Sequence, residues 1–328
     1  MKRIVAFAGG LATVGFLIWY AGADAVLRSL AELGPAGLVA IAMLHLPVIA
    51  LMGLAWWSVR GRGHHDARAR FLVARLIRDA AGEVLPFSQL GGFAIGARAL
   101  SLAGVDLFRA GVSMFADLVM EFAAKLPYAL AGVVVLFLLR PDSSLLPPVA
   151  LGLACAFAGA GAAFAFRRPL LAALERSALA VVRRWTNLAP RGEVAPAIAA
   201  SFAPRGLATS FAVHLLCWLL GGAETWVILR LLDVQTGIAQ AIVVDSLANG
   251  LRTFAFFIPA AAGAQEGAYV LVCALVGIPP ASALALSLAR RAREILIGIP
   301  GLAAWQVLES RALPRPIQVI RGKSQPPA

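Results

Sequence analysis

The chain reads as an all-α polytopic integral membrane protein, with about six full transmembrane helices plus two re-entrant helical hairpins arranged as an inverted repeat. Three observations predict this. Only 14% of the 328 residues are charged and 60% are hydrophobic, with a mean hydropathy of +0.83, whereas soluble domains are about a quarter charged. Six apolar segments approach or exceed the ~20 residues that a bilayer core requires. Basic residues gather between those segments, the pattern of topology determinants.

In chain order the apolar segments are 4–22, 34–59, 107–139, 146–166, 207–232 and 281–308. The first follows Lys2 and Arg3 and imitates a signal peptide, but in a multispanning chain it is expected to stay as a membrane helix. "RGRGHHDARARFLVARLIR" carries Arg60, Arg62, Arg68, Arg70, Arg75 and Arg78 against Asp66 alone, and the stretch 167–205 carries seven arginines and two glutamates. The formal charge of +12 therefore points to orientation and anionic-lipid contact, with no nucleic-acid partner. By the positive-inside rule these loops and both termini face the cytoplasm. Cys155, Cys217 and Cys273 lie in apolar segments without metal or disulfide spacing and read as packing residues.

Parity then places the hairpins. If the loop after residue 59 is inside and "RPDSS" is outside, helix 107–139 supplies the crossing and 80–104 enters and leaves on the cytoplasmic side. The same count makes 238–278 a hairpin from the outer side, with helix 281–308 crossing after it. Both stretches hold Pro and Gly, and broken backbone at membrane depth requires protein or a cavity around it. The alternative is one more pair of ordinary crossings.

An internal repeat fits this plan. "LPFSQLGGFAIGARALSLAG" aligns with "IPAAAGAQEGAYVLVCALVG" at an offset of 173, matching Pro86 with Pro259, Gly104 with Gly277 and Glu121 with Glu294. Asp117 falls opposite Arg290. Three crossings separate the copies, so they run in opposite senses, as in transporters with sites at the repeat interface. The halves are 1–140 and 141–310, followed by a basic cytoplasmic tail, 311–328.

Several charges fall inside the apolar helices. Asp117, Glu121 and Lys125 share one face of helix 107–139, and Arg290, Arg291, Arg293 and Glu294 interrupt helix 281–308. Each costs about 2.5–3.5 kcal/mol at the bilayer centre on insertion scales. They either pair within their helices, Glu121 with Lys125 and Arg290 with Glu294, or line a polar cavity. Asp245 and Arg252 flank the second hairpin and can pair, and Arg98 holds the corresponding place in the first. His45 and His214 read as hydrogen-bonded packing residues. In the opening turn of the second hairpin, Pro259 and Gly263 are expected to break the helix and Gly267 to restart it, with Gln265 and Glu266 at the tip. Helix N-termini at glycine turns favour anionic groups. The residues expected to bind a lipid headgroup are Gln89, Gly91, Gly92, Arg98, Asp117, Glu121, Arg252, Gln265, Glu266, Arg290, Arg293 and Glu294.

"RDAAGEVLPFSQLGGFAIGARAL", "DLVMEF", "AETWVILRLL" and the run from "VVDSLANGLRTFAFFIPAAAGAQEG" to "IPGLAAWQ" resemble the hopanoid-biosynthesis-associated proteins of the flippase-like superfamily, related to the lysylphosphatidylglycerol synthase transmembrane domain. The resemblance covers nearly the whole chain and is most specific in 242–306. It implies a bacterial inner-membrane protein that binds and translocates a hopanoid or related polar-headed lipid. Its implied partners are membrane lipids, whether hopanoid or phospholipid, hopanoid-biosynthesis enzymes and a second copy of the chain. The synthases carry a soluble aminoacyl-transfer domain; nothing follows residue 328, so that activity is not expected. The family pattern places an acid after the paired glycines of the first hairpin, whereas here Phe93 stands there, opposite Glu266.

No phosphate-binding G-x-x-x-x-G-K-[ST] loop is present, so transport would be passive, ion-driven or partner-dependent. No HExxH, GxSxG or paired-aspartate motif occurs, and neither a cofactor nor a metal is expected. An intramembrane enzyme acting on an isoprenoid lipid through Asp117, Glu121 or Glu266 is the alternative, and a scaffold for biosynthetic enzymes the third.

Overall fold

The structure is a computed structural model that describes residues 23–61, 67–84, 88–141, 200–253 and 263–312. The expected helices 4–22 and 146–166, together with Pro86, Pro259 and the tail from 313, lie outside the described residues. Among the described residues every regular element is an α-helix: α1 (Ala23–Ser58), α2 (Arg68–Val84), α3 (Ser88–Leu102), α4 (Leu107–Leu139), α5 (Pro204–Leu231), α6 (Ile238–Thr253), α7 (Ala264–Leu275) and α8 (Pro280–Ala312).

Among the described residues three helices are long and apolar enough to cross a membrane: Ala31–Ser58 within α1, then α4 and α5. The N-terminal end of α1 is broken at Gly34 (φ 59), just before Pro35. The start of α4 is capped by Asp106, which accepts the Arg109 N–H at 3.0 Å, and α5 opens on Pro204, whose missing N–H costs nothing at a first helical turn. The helix α8 is as long as α4, 33 residues, but the charges from Arg290 to Glu294 interrupt its apolar surface.

The other four helices have 17, 15, 16 and 12 residues. At 1.5 Å per residue none covers the ~30 Å of a hydrocarbon core. They pack in two pairs, α2 on α3 and α6 on α7. The first pair begins at Arg68, well before the expected residue 80. The end of the basic stretch is amphipathic, and Phe71, Ala74, Ile77 and Ala81 bury one face of α2. The arginines counted there as loop charge are thus partly interior: Arg75 and Arg78 are 2% and 4% exposed. In the second pair α7 restarts at Ala264, earlier than the expected Gly267, so Gln265 and Glu266 occupy its first turn.

Element ends recur at the offset of 173 found in the sequence. It carries the end of α1 to that of α5, the end of α3 to that of α7, and both ends of α4 to those of α8. Pro127 and Pro300 fall at the same place inside α4 and α8. The turns before these long helices also coincide: Gly104 and Gly277 both have positive φ, 99° and 80°. Each is followed by an N–H that reaches back to the same relative carbonyl, Val105 to Leu100 at 3.3 Å and Ile278 to Cys273 at 3.0 Å.

Packing follows the same correspondence. The helix α4 lies on α5 and α6, as α8 lies on α1 and α2, and α1 meets α5 at the centre. There His45 faces Glu224, Val48 faces Cys217 and Ser58 faces Gly206, so α1 and α5 run antiparallel. By contrast α4 and α5 run parallel, with Asp117 beside His214 and Glu121 beside Trp218. Among the described residues two large apolar cores result, one around Trp56, Phe71 and Leu100 and another around Leu136, Val244, Tyr269 and Leu286, with a small third cluster of Ala42, Ile49 and Ile297.

Candidate functional site

Between these cores lies a cavity of about 170 Å³ to which every described helix but α3 contributes. Its lining mixes apolar side chains, among them Val48, Ile49 and Ile297, with a dense set of charges. Five guanidiniums (Arg75, Arg78, Arg252, Arg290, Arg293) face five carboxylates (Asp79, Glu83, Glu121, Asp245, Glu294).

One cluster ties α2 to α4. Arg75 bonds Asp79 one turn along at 2.8 Å, and reaches Asp117 at 3.3 Å and Glu121 at 3.1 Å. Arg78 bonds Asp117 at 3.1 Å and Glu121 at 2.7 Å. Behind them Asp117, wholly buried, accepts from Ser210 at 3.5 Å and lies 2.8 Å from His214 Nε2. Asp117, Glu121 and His214 offer ligand atoms within 4.8 Å of one another, a metal-like grouping. The two guanidiniums already sit on both carboxylates and supply the positive charge a cation would bring. The expected Glu121–Lys125 pair gives way to this cross-helix pairing, because the shorter route to a counter-charge lies on α2. Lys125 instead donates to Thr253 at 2.9 Å and stands 4.6 Å from the Trp218 ring centroid.

A second cluster ties α8 to α5, α6 and α7. Arg290 bonds Asp245 at 2.6 Å and also Tyr269. Asp245 accepts from Tyr128 and Thr225, each at 2.9 Å. Arg293 pairs with Glu224, whose other oxygen lies 2.7 Å from His45 Nδ1. The expected pairs Arg290–Glu294 and Asp245–Arg252 are therefore not made. Arg252 pairs with Glu83 and stands 3.7 Å from Glu294, which joins the C-terminal ends of α2 and α6. Isolated buried charge is very costly, and ion pairs with additional hydrogen bonds are how an interior tolerates it.

The expected site residues divide. Glu121, Arg252, Gln265, Arg290, Arg293 and Glu294 line the cavity. Asp117 supports it from behind. Glu266 is buried and closes the start of α7: Oε2 accepts the Gly263 N–H at 2.9 Å and Oε1 accepts Arg291 Nε at 2.9 Å. In the corresponding place of the first half, Phe93 lies under the Arg78 guanidinium, 4.6 Å from ring centroid to Cζ. Gly92 sits in the α2–α3 contact, where a Cβ would come within 2.8 Å of the Gly82 backbone, and Gly91 is its half-buried neighbour; neither lines the cavity. Arg98 is on the outside, 3.3 Å from Glu309. Gln89 falls in α3, and its side chain is outside the described residues.

Sequence reasoning missed Arg75, Arg78, Asp79 and Glu83, because a basic loop was a sufficient account of them. The available signal was that Phe71, Arg75 and Arg78 fall at i, i+4 and i+7 beside the apolar positions Ala74, Ile77 and Ala81, which puts both arginines on the buried side of an amphipathic helix. Glu224 was missed as a lone acid in a long apolar helix, and the tyrosines 128 and 269 carried no pattern at all.

Residues 5–301 match the family described as Lysylphosphatidylglycerol synthase TM region. No curated protein matches the chain significantly.

Proposed function

The chain belongs to the lysylphosphatidylglycerol synthase transmembrane-region family, a lipid-related kind of membrane protein, and from that premise we propose that it binds a polar-headed lipid and passes the headgroup between leaflets. A hopanoid or related lipid of a bacterial inner membrane is the proposed cargo. The observation that carries this reading is the charged cavity enclosed by α1, α2 and α4 through α8. A lipid whose headgroup entered the cavity could keep its tails in the bilayer beside Leu216, Leu219 and Ile299, which lie exposed on α5 and α8. The mechanism we propose is alternating access between two inverted halves. The recurrence of helix ends at 173 residues and the antiparallel course of α1 and α5 support it.

Binding is favoured over catalysis by the state of the acids. Asp117 and Glu121 are each held by two arginines, and Glu266 by Arg291 and a backbone N–H, which leaves them poor candidates for abstracting a proton. The test is reconstitution of the pure chain into liposomes with fluorescent lipids and hopanoids. Acceleration of leaflet exchange, lost on Arg290→Gln, is expected; exchange no faster than in empty liposomes, with no bound lipid seen by native mass spectrometry, would sink the reading. A covalently altered lipid would favour an enzyme instead.

A further inference from the structure

We propose that His45 is a proton-binding site coupled to the occupant of the cavity: an anionic phosphate group and one proton bind together, the proton on His45 Nε2. The proposal deepens the lipid reading and rests on it.

His45 is the accessible end of a buried triad. Its side chain is 20% exposed, while Glu224 beneath it is 1% exposed. Nδ1 lies 2.7 Å from Glu224 Oε2 and 3.3 Å from Arg293 Nη1. An ionised carboxylate only accepts and a guanidinium only donates, so the 2.7 Å contact places the hydrogen on Nδ1, donated to Glu224. Nε2 then keeps its lone pair, and among the described residues nothing bonds it. Glu224 on α5 and Arg293 on α8 touch the ring, and the charged groups that share the cavity with it from the helices packed on α1 are Arg290 and Glu294 on α8, Arg75, Arg78, Asp79 and Glu83 on α2, and Glu121 on α4.

The lining charges balance, five against five. A phosphate entering this cavity adds one negative charge with no counterpart in surroundings of low dielectric. Donors to hold it are present: Arg290 Nε and Arg293 Nε are buried and have no partner among the described residues. Charge to neutralise it is available in one place. Of the groups lining the cavity, His45 is the one whose ordinary titration lies between about pH 5 and 8. A proton taken up from bulk solvent with the anion adds to the Nε2 lone pair, forms the imidazolium and leaves the Nδ1–H bond to Glu224 intact. By reciprocity the anion raises proton affinity and the proton raises anion affinity.

The experiment titrates the full chain in micelles with two phosphodiesters that do not themselves ionise further in this range. Diethyl phosphate represents a free phosphate group and dihexyl phosphate a lipid-like one. Calorimetry in two buffers of different ionisation enthalpy counts the protons. Dihexyl phosphate is expected to bind with uptake of about one proton, its affinity rising up to about tenfold per pH unit as pH falls through this range. His45→Gln should bind the same anion without uptake. In the unsubstituted chain labelled with ¹⁵N-histidine, the His45 ring should shift to the imidazolium signature when dihexyl phosphate is added at constant pH, a readout that needs no variant. Binding without uptake, uptake that persists in His45→Gln, or an unchanged ring would overturn the proton site and leave the lipid reading standing. Uptake with diethyl phosphate alone would keep the proton site and remove the lipid reading. Failure of both anions to bind would overturn both.

Discussion

Asp117 and Arg290 occupy the same position in α4 and α8, 173 residues apart, and carry opposite charges held in mirror fashion. Asp117 is gripped by Arg78 of α2 at 3.1 Å and Arg290 by Asp245 of α6 at 2.6 Å. In each half, buried ion pairing ties the first helix of the short pair to the long helix, through both Arg75 and Arg78 to Asp117 in the first and through Asp245 to Arg290 in the second. The acid lies on the long helix in the first half and on the short helix in the second, so the two ties attract while the pattern of charge is reversed.

The Asp245–Arg290 tie should behave as a coupled pair. Removing one partner of a buried ion pair typically costs about 3–5 kcal/mol, whereas removing both can be nearly neutral. Asp245→Asn and Arg290→Met are each expected to lower the melting temperature in detergent sharply, and the double variant to recover most of the loss. Additive losses would mean the two groups are stabilised independently.

Arginines of similar sequence prominence should differ in effect. Arg98→Gln removes a contact with Glu309 from a side chain 49% exposed, so a change below about 1 kcal/mol and unaltered lipid binding are expected. Arg75→Gln strips Asp79, Asp117 and Glu121 of a shared counter-charge and should abolish lipid binding or folding. Size-exclusion profiles and lipid retention on the two purified variants check this directly.

The two glycine turns offer a control on the correspondence of the halves. Gly104 and Gly277 lie in the left-handed region, where a side chain costs about 1–2 kcal/mol. Gly104→Ala and Gly277→Ala should each destabilise by about that amount in thermal melts. A neutral result at either site would show that its turn can relax.

Arg252 joins the ends of α2 and α6 through Glu83. Arg252→Gln leaves Glu83 and Glu294 without that shared cation and should loosen the contact between the two short helix pairs. Leaflet exchange in liposomes is expected to fall about tenfold, corresponding to about 1.4 kcal/mol, with the melting temperature changed far less than for Asp245→Asn. Equal losses in both measurements would make Arg252 a purely structural residue.

Much of this architecture was legible because apolar length, charge placement and the 173-residue register are properties of the chain itself. Gly104 and Gly277 aligned in sequence because the same turn demands them. Pairing was less legible. The partner of Glu121 could be guessed only along its own helix, where Lys125 is the nearest base, while its partners Arg75 and Arg78 sit on another helix brought alongside by packing. The apolar face of α2 held the missing information, but the density of arginines concealed it behind an adequate topological account.

The interlocking of the long helices bears on whether the chain can be divided. With α4 of the first half resting on α6 of the second, and α8 of the second on α2 of the first, neither half has a complete interior by itself. Separated, each segment would expose the helix faces that the other covers, so the two are expected to fold only when produced together.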